Sequence, residues 1–196
     1  MTIGVLQSSL FADMFGAADM RRAFGEHAFL MRCVEVEAAL ARAQARVGLV
    51  PAEAAARITA AAEAVTGGHR TLDLARLKRE TETVGYPILP MVRQLAEQAG
   101  EAGRWVHWGA TTQDIMDTAT VLQIRAGLAL IEAELSTARG HLAALARRHR
   151  DTPMAGRTHL QHALPITFGY KAAVWLAGLD RHAERLDQLR PRVLNV

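Results

Sequence analysis

The sequence is poor in cysteine and lysine, and each shortage narrows the class of protein. Cys33 is the only cysteine, which excludes an internal disulfide, argues against a cysteine-based metal site and assigns Cys33 to packing. Lys78 and Lys171 are the only lysines, so arginine supplies most of the basic charge and the formal net charge is only +3. Such a mild excess is compatible with a polyanionic substrate, but guanidinium groups also form ordinary surface ion pairs.

Long apolar runs are also missing. A membrane-spanning helix needs about 18 consecutive apolar residues, and the uncharged runs in this sequence are far shorter. Residues 1–10 have neither the basic start nor the apolar core of a signal peptide. We therefore expect a cytoplasmic protein that does not enter a membrane.

The signatures of several ligand classes are absent. There is no Gly-rich phosphate loop, no His-x-x-x-His or Cys/His ligand spacing, and no Gly-x-Ser-x-Gly elbow. The densest basic stretch, Arg147–Arg150, lacks interleaved aromatic residues and lies where a helix C-terminus favours cations. We therefore expect a reaction without cofactor or metal, and no nucleic-acid partner.

Helix-forming residues are abundant. Alanine, leucine, arginine and glutamate dominate the composition, and runs of β-branched residues are scarce. No Asn-Gly or Asp-Gly hairpin signal appears. The sequence predicts an all-α fold. Apolar periodicity and Gly or Pro punctuation place the first helices at Ala18–Gly25, Ala28–Val47, Pro51 to about Gly67, Leu72–Glu80 and about Pro90 to Gln98.

One long helix is predicted from Thr111, because Thr111 and Asp114 form a Thr-x-x-Asp start signature and nothing interrupts the pattern before Asp151. At 1.5 Å per residue it would span roughly 50 Å. It carries a seam of larger residues, with a seam of smaller residues beside it. The larger-residue seam is Val121, Ile124, Leu128, Ile131, Leu135, Ala138, Leu142 and Leu145, and the smaller-residue seam is Ile115, Ala119, Leu122, Ala126, Ala129 and Ala133. Two seams need two packing partners, so the helix belongs inside a bundle. A loop, Met154–Leu164, then precedes a helix introduced by Pro165.

The change in composition near Gly109 suggests a domain boundary. We predict an N-terminal helical domain over residues 1–110 and the first long helices of a central helical bundle over residues 111–196. A single neighbouring helix cannot cover both seams of the long helix. Other chains or further sequence must cover the rest.

The first stretch with chemical potential is Trp105–Asp114, which places glycine and the paired hydroxyls of Thr111 and Thr112 just before the long helix. A helix start offers free N–H groups and the positive end of the helix dipole, so it suits a substrate carboxylate. The alternative is that Thr111 only caps the helix and Thr112 is an ordinary first-turn residue.

The second stretch is Gly156–Pro165, a polar segment between two buried helices. Histidine titrates near neutrality, so His159 is a candidate for proton transfer, with Thr158 and Gln161 as hydrogen-bond donors. His162 is a weaker candidate. A histidine in a loop is often only structural or solvated, and that alternative stays open here.

At these two stretches the sequence resembles the fumarase/aspartase superfamily, which includes adenylosuccinate lyases, argininosuccinate lyases and carboxymuconate cycloisomerases. Members carry a Gly-Ala-Thr-Ser/Thr-x-Asp region and a Gly-Arg-Thr-His/Trp-x-Gln region in this order, each ahead of a long helix. Gly109–Asp114 and Gly156–Gln161 match them. The resemblance covers essentially the whole chain, as the N-terminal part of a family member.

This resemblance implies a small polycarboxylate substrate and a homotetramer in which each active site is shared between subunits. It implies that His159 is catalytic, as a proton-transfer residue or charge stabiliser. It also implies a set of substrate-binding residues: Thr111, Thr112, Gln113, Thr158, Gln161 and His107. For His107 the alternative is that the ring simply stacks between Trp105 and Trp108.

Three phrases resemble the carboxymuconate cycloisomerase branch in particular, namely Val106–Thr118, Tyr170–Leu186 and Glu82–Pro90. Several cycloisomerases have tryptophan at the position of His159, which keeps adenylosuccinate lyase as the alternative. The family's catalytic serine loop and the glutamate that partners the histidine are expected downstream of Val196. The chain alone is therefore expected to be inactive, and a non-catalytic helical scaffold is the alternative from another class.

Overall fold

The computed structural model describes residue 8 and residues 10–195, which divide into two compact units that meet within the long helix. Unit 1 comprises the described residues up to 126, and unit 2 comprises residues 127–195. The helices are α1 Ala12–Phe15, α2 Ala18–Ala23, α3 Glu26–Arg46, α4 Ala52–Thr66, α5 Leu74–Val84, α6 Ile88–Ala99, a 3-10 helix Gly100–Trp105, α7 Thr112–Arg148 and α8 Phe168–Val193. The predicted helical fold is confirmed.

Unit 1 is built around α3, which packs against α4 and α6, while α4 also contacts the 3-10 helix. In α3, buried residues recur at steps of three and four, which turns one stripe of the helix towards the core. The largest fully buried side chains of this core come from several helices: Ile58, Ile88, Met91, Leu95, Ile115, Glu37 and Val34. Glu37 is the one carboxylate in that set.

The helix ends of unit 1 follow from local chemistry. The Asp73 carboxylate caps α5 by accepting the Arg76 N–H at 2.9 Å. The helix then continues to Val84, beyond the predicted end at Glu80, and stops where Gly85 adopts φ +95°. Pro90 lies in the first turn of α6, as predicted. Proline is tolerated there because a backbone N–H in the first turn has no intrahelical acceptor.

The long helix is confirmed as one uninterrupted element, α7. Within unit 1 its smaller-residue seam is buried at Ile115 and Ala119. Within unit 2, Ile131 and Leu145 of the larger-residue seam remain exposed. The prediction that other chains or further sequence cover this seam stays a prediction, as does the domain boundary after residue 110.

The predicted loop Met154–Leu164 is wrong, because this segment forms an antiparallel hairpin of β1 Pro153–Thr158 and β2 Gln161–Thr167. Its turn is His159-Leu160, with Leu160 at φ +58°, so the glycine that usually marks a hairpin turn is missing. Pro165 lies within β2, beside an irregularity in the register, where the loss of an N–H donor is tolerated.

Helix α8 therefore begins at Phe168, after Thr167 caps it by accepting the Tyr170 N–H at 3.1 Å. Within unit 2, α8 runs back along the second half of α7. Arg139 Nε donates to Asp180 Oδ1 at 2.6 Å, and near the other end Arg190 pairs with Glu132. None of the described helices has a stretch long and apolar enough to cross a membrane.

Candidate functional site

The segment that joins the 3-10 helix to α7 is a sharply turned loop in unit 1. His107 has φ +60° and Gly109 has φ +66°, both in the left-handed region. Glycine adopts this conformation at little cost, whereas a residue with a side chain does so only where other contacts hold it. The conformation of His107 therefore needs an explanation in its contacts.

That contact is with Glu37, in the middle of α3. His107 Nδ1 lies 2.7 Å from Glu37 Oε1, and the Glu37 side chain is fully buried while 19% of the His107 side chain is exposed. Glu37 Oε2 has no hydrogen-bond partner among the residues that the structure describes. Because a buried carboxylate needs a compensating charge, the pair favours the imidazolium form of His107.

The electrostatics of the loop agree with this charge state. The hydrogen bond to Glu37 raises the pKa of His107, burial opposes the shift, and the charges of Glu37 and Asp114 add to it. Cys33, one turn before Glu37 on α3, is fully buried, and burial together with the Glu37 charge raises the pKa of its thiol to about 12. The contact with Glu37 thus favours the charged form of His107, and Cys33 is a neutral thiol.

A second anchor fixes the same loop on α3. Gln44, two turns after Glu37, donates from Nε2 to the Trp108 carbonyl oxygen at 2.6 Å. The Trp105 and Trp108 rings contact each other, with centroids 4.9 Å apart and planes tilted by 58°. His107 therefore does not stack between the two indoles, and that alternative is wrong. The loop is held instead by the His107–Glu37 contact and by the hydrogen bond from the Gln44 amide.

At the start of α7, the Asp114 carboxylate accepts the Thr111 N–H at 2.9 Å, which is the returning half of a capping box. Thr111 thus holds the N-cap position, consistent with the capping interpretation of its place in the sequence. Gln113 Nε2 donates to Asp117 Oδ1 at 2.6 Å. Thr111 and Gln113 are exposed, and Thr112 is half-buried. Their predicted role in carboxylate binding stays a prediction.

The second predicted stretch forms the tip of the hairpin in unit 2. Thr158 and Gln161 are paired across the end of the two strands, and His159 and Leu160 form the turn between them. All four are exposed, and Leu160 is 93% exposed. A two-stranded hairpin is only marginally stable by itself in water. The roles predicted for Thr158, His159 and Gln161 stay predictions.

The predicted site residues thus fall into two groups, one in each unit. His107 and residues 111–113 share the loop and helix start of unit 1, and residues 158–161 share the hairpin of unit 2. The residue that the sequence analysis missed is Glu37. The sequence feature that could have identified Glu37 is a carboxylate on an otherwise apolar stripe, next to Val36 and Ala38.

Comparison with known proteins places these features in a family. The profile of the family described as lyase matches residues 13–196. The 3-carboxy-cis,cis-muconate cycloisomerase of Pseudomonas aeruginosa is 47% identical over 191 residues, which make up 95% of this chain and 40% of that protein. The adenylosuccinate lyase of Pyrococcus abyssi is 43% identical over 180 residues, or 92% of this chain and 39% of that protein.

A solved structure agrees. The crystal structure of a fumarate lyase from Mesorhizobium sp. BNC1 matches with a TM-score of 0.84 and 65% identity, covering 90% of this chain and 41% of that one. The chain spans about 40% of the length of the curated relatives it matches. With its helical fold and both motifs, the chain belongs to the lyase family of the fumarase/aspartase superfamily.

Proposed function

We propose that the whole protein is a 3-carboxy-cis,cis-muconate cycloisomerase of aromatic catabolism, which interconverts 3-carboxy-cis,cis-muconate and 4-carboxymuconolactone. The proposal is supported by the 47% identity to a relative with that name and by the three cycloisomerase-like phrases. The observation that carries it is the Glu37–His107 pair beside the start of α7. A protonated His107 would carry a positive charge in the loop that leads into α7, and a cation together with helix N–H groups is the chemistry that binds carboxylates.

In this reaction one carboxylate oxygen of the substrate adds to a carbon–carbon double bond of the same molecule. A carbon–oxygen bond forms, negative charge develops on the adjacent carboxylate as an enolate-like species, and a proton is delivered to carbon. The reverse reaction is a β-elimination. Both directions need donors aimed at the developing charge and one proton-transfer group.

The residues divide between these two tasks. Thr111, Thr112 and Gln113 bind a substrate carboxylate at the helix start, and His107 adds a cation beside them. Thr158 and Gln161 line the site. His159 transfers the proton or stabilises the charge. The enzyme is a cytoplasmic homotetramer whose active sites are shared between subunits, and it uses no cofactor.

The tetramer also accounts for the exposed residues on the larger-residue seam of α7 and for the exposed hairpin. Partner subunits would cover these apolar surfaces, as expected for a chain that does not bury them itself. Sedimentation velocity of the full-length protein tests this assembly. A monomer at micromolar concentration would contradict it.

Adenylosuccinate lyase is the second candidate, favoured by His159 and by the 43% identity to a relative with that name. Spectrophotometric assays of the full-length protein with carboxymuconate and with adenylosuccinate discriminate between the two. Turnover of carboxymuconate alone is expected. Turnover of adenylosuccinate alone would replace the proposal, and turnover of neither would favour a non-catalytic scaffold.

Variants test the residue roles in the same assay. H159Q removes the imidazole and is expected to lower kcat by about 100-fold, the scale of a lost general acid or base. T112V removes a hydroxyl at the helix start and is expected to raise KM more than it lowers kcat. T120V is the matched control, because Thr120 is an exposed hydroxyl two turns further along α7. Equal effects of T112V and T120V would contradict the assigned role.

A further inference from the structure

Glu37 is a fully buried carboxylate in the core of unit 1, and core packing alone does not explain why a carboxylate occupies this position. It lies among apolar residues of α3, and replacing a carboxylate there with an apolar residue of similar size is often neutral or stabilising. Its only hydrogen-bond partner among the described residues is His107. What Glu37 does must therefore be expressed through that ring.

We propose that Glu37 is a positioning residue, which holds His107 as an imidazolium so that the start of α7 accepts a carboxylate despite the negative charge of Asp114. The inference rests on the proposed function and extends it by assigning the cation of the carboxylate site and the group that maintains its charge. His107 contacts the substrate; Glu37 acts only through His107.

The need for such a cation follows from the charges around the helix start. Asp114 lies in the first turn of α7 and already accepts the Thr111 N–H, and Asp117 lies one turn further along. Both repel an incoming carboxylate and weaken the attraction of the helix dipole, which is small at an exposed site. A positive charge on His107 offsets this repulsion.

The geometry assigns the two ring nitrogens to different tasks. Nδ1 is engaged by Glu37 Oε1 at 2.7 Å, which leaves Nε2 as the nitrogen that can donate to a ligand. The left-handed backbone of His107, at φ +60°, presents the ring to Glu37. In a neutral ring that donates through Nδ1, Nε2 would be an acceptor and would repel a carboxylate oxygen. The contact with the Glu37 carboxylate is therefore what makes Nε2 a donor.

The other groups near His107 do not supply this charge. From α3, Cys33 is a neutral thiol and Gln44 is an uncharged amide that holds the Trp108 carbonyl. From α7, Asp114 is the charged neighbour. At the end of the 3-10 helix, the Arg104 guanidinium lies over the Trp105 ring, 5.5 Å from its centroid. Glu37 is thus the group whose removal should change the charge of His107 most.

The test is a titration of His107 in the full-length protein, followed by NMR of labelled histidine and assigned by the signal lost in H107N. In the wild type we expect His107 to remain protonated above the ordinary histidine range. In E37Q, which keeps the shape and removes the charge, the transition should move to lower pH. Q44A is the matched control, because it removes the other anchor of the loop without changing a charge. In Q44A, His107 should titrate at the same pH as in the wild type.

Binding of tricarballylate, a tricarboxylate probe, is measured in parallel by calorimetry. At pH 7.5 we expect E37Q to bind the probe about tenfold more weakly, the scale of one charge-assisted hydrogen bond. The deficit should shrink at pH 5.5, where the ring is protonated in both proteins. A purely structural role for Glu37 would give a deficit independent of pH.

A wild-type His107 that titrates in or below the ordinary range would overturn the proposal, and so would a Q44A transition displaced as far as that of E37Q. The wild-type titration decides the matter even where E37Q folds poorly. Neither measurement depends on turnover, so a failed carboxymuconate assay overturns the proposed function alone.

Discussion

Glu37 and His107 are 70 residues apart in the sequence, and Oε1 of the one lies 2.7 Å from Nδ1 of the other. The bond joins the middle of the central helix of unit 1 to the loop that leads into α7. The carboxylate is fully buried and the imidazole is mostly buried, so removing either side chain leaves the other without its partner in a largely water-free environment.

Removing the imidazole alone should be costly. H107A leaves a buried carboxylate without its partner, and we expect the free energy of unfolding to fall by about 3 kcal/mol. The double variant E37Q/H107A removes the stranded charge and should recover part of that loss. Urea denaturation followed by circular dichroism gives both values. A loss below about 1 kcal/mol in H107A, the scale of an exposed ion pair, would contradict a coupled pair.

The pair should also make stability depend on pH. The bond to Glu37 raises the pKa of His107 in the folded state, so its stabilising contribution is fully present below the ordinary histidine pKa of about 6.5. It is lost as the pH rises through the higher folded-state value. The difference in melting temperature between wild type and H107Q should therefore narrow from pH 6 to pH 9. H141Q, which removes an exposed imidazole of α7, is the matched control. A difference that widens with pH would reverse the sign and refute the argument.

Cys33 should be unreactive in the folded protein. Its side chain is fully buried, and burial raises the pKa of the thiol to about 12, so almost no thiolate exists at pH 8. We expect iodoacetamide to modify Cys33 only after unfolding, with the labelled fraction following the urea denaturation curve. Mass spectrometry of the labelled protein measures this. Rapid labelling without denaturant would contradict the packing of α3.

Alanine substitutions at two glycines of unit 2 should change the stability of the protein in opposite directions. A Cβ on Gly169 would lie 2.6 Å from the Ala146 carbonyl oxygen and 2.6 Å from the backbone of Arg150. Since backbone has to move, G169A should cost about 2 kcal/mol. A Cβ on Gly140, at an exposed position in the C-terminal half of α7, meets nothing within 4 Å, so G140A should add about 0.5–1 kcal/mol through helix propensity. Thermal unfolding compares the pair, and equal shifts would contradict the close approach of α7 and α8.

Helix positions were predictable because their determinants are local. The apolar repeat, the glycine and proline punctuation and the Thr111–Asp114 start signature all act within one or two helical turns. The structure confirms the helices at nearly the predicted bounds. The end of α5 was misplaced because the signal was the left-handed Gly85, which stops the helix four residues after the predicted end.

The hairpin was missed for a different reason. Its turn uses Leu160 at φ +58° in place of a glycine, and Pro165 within β2 is typical of a helix start or a loop. The residue propensities of this segment therefore did not favour β-strands. Pairing between the two segments is decided by hydrogen bonds across the hairpin, which a residue-by-residue reading does not include.

By itself the sequence determined the helical class, the long helix and the two motifs that indicate the superfamily, because periodicity and short motifs are properties of neighbouring residues. Only the tertiary structure decided that Glu37 faces His107, because that contact depends on how the loop after the 3-10 helix folds back onto α3. The sequence shows His107 beside two tryptophans and Glu37 within an apolar stripe. Packing turns these separate residues into one charged pair.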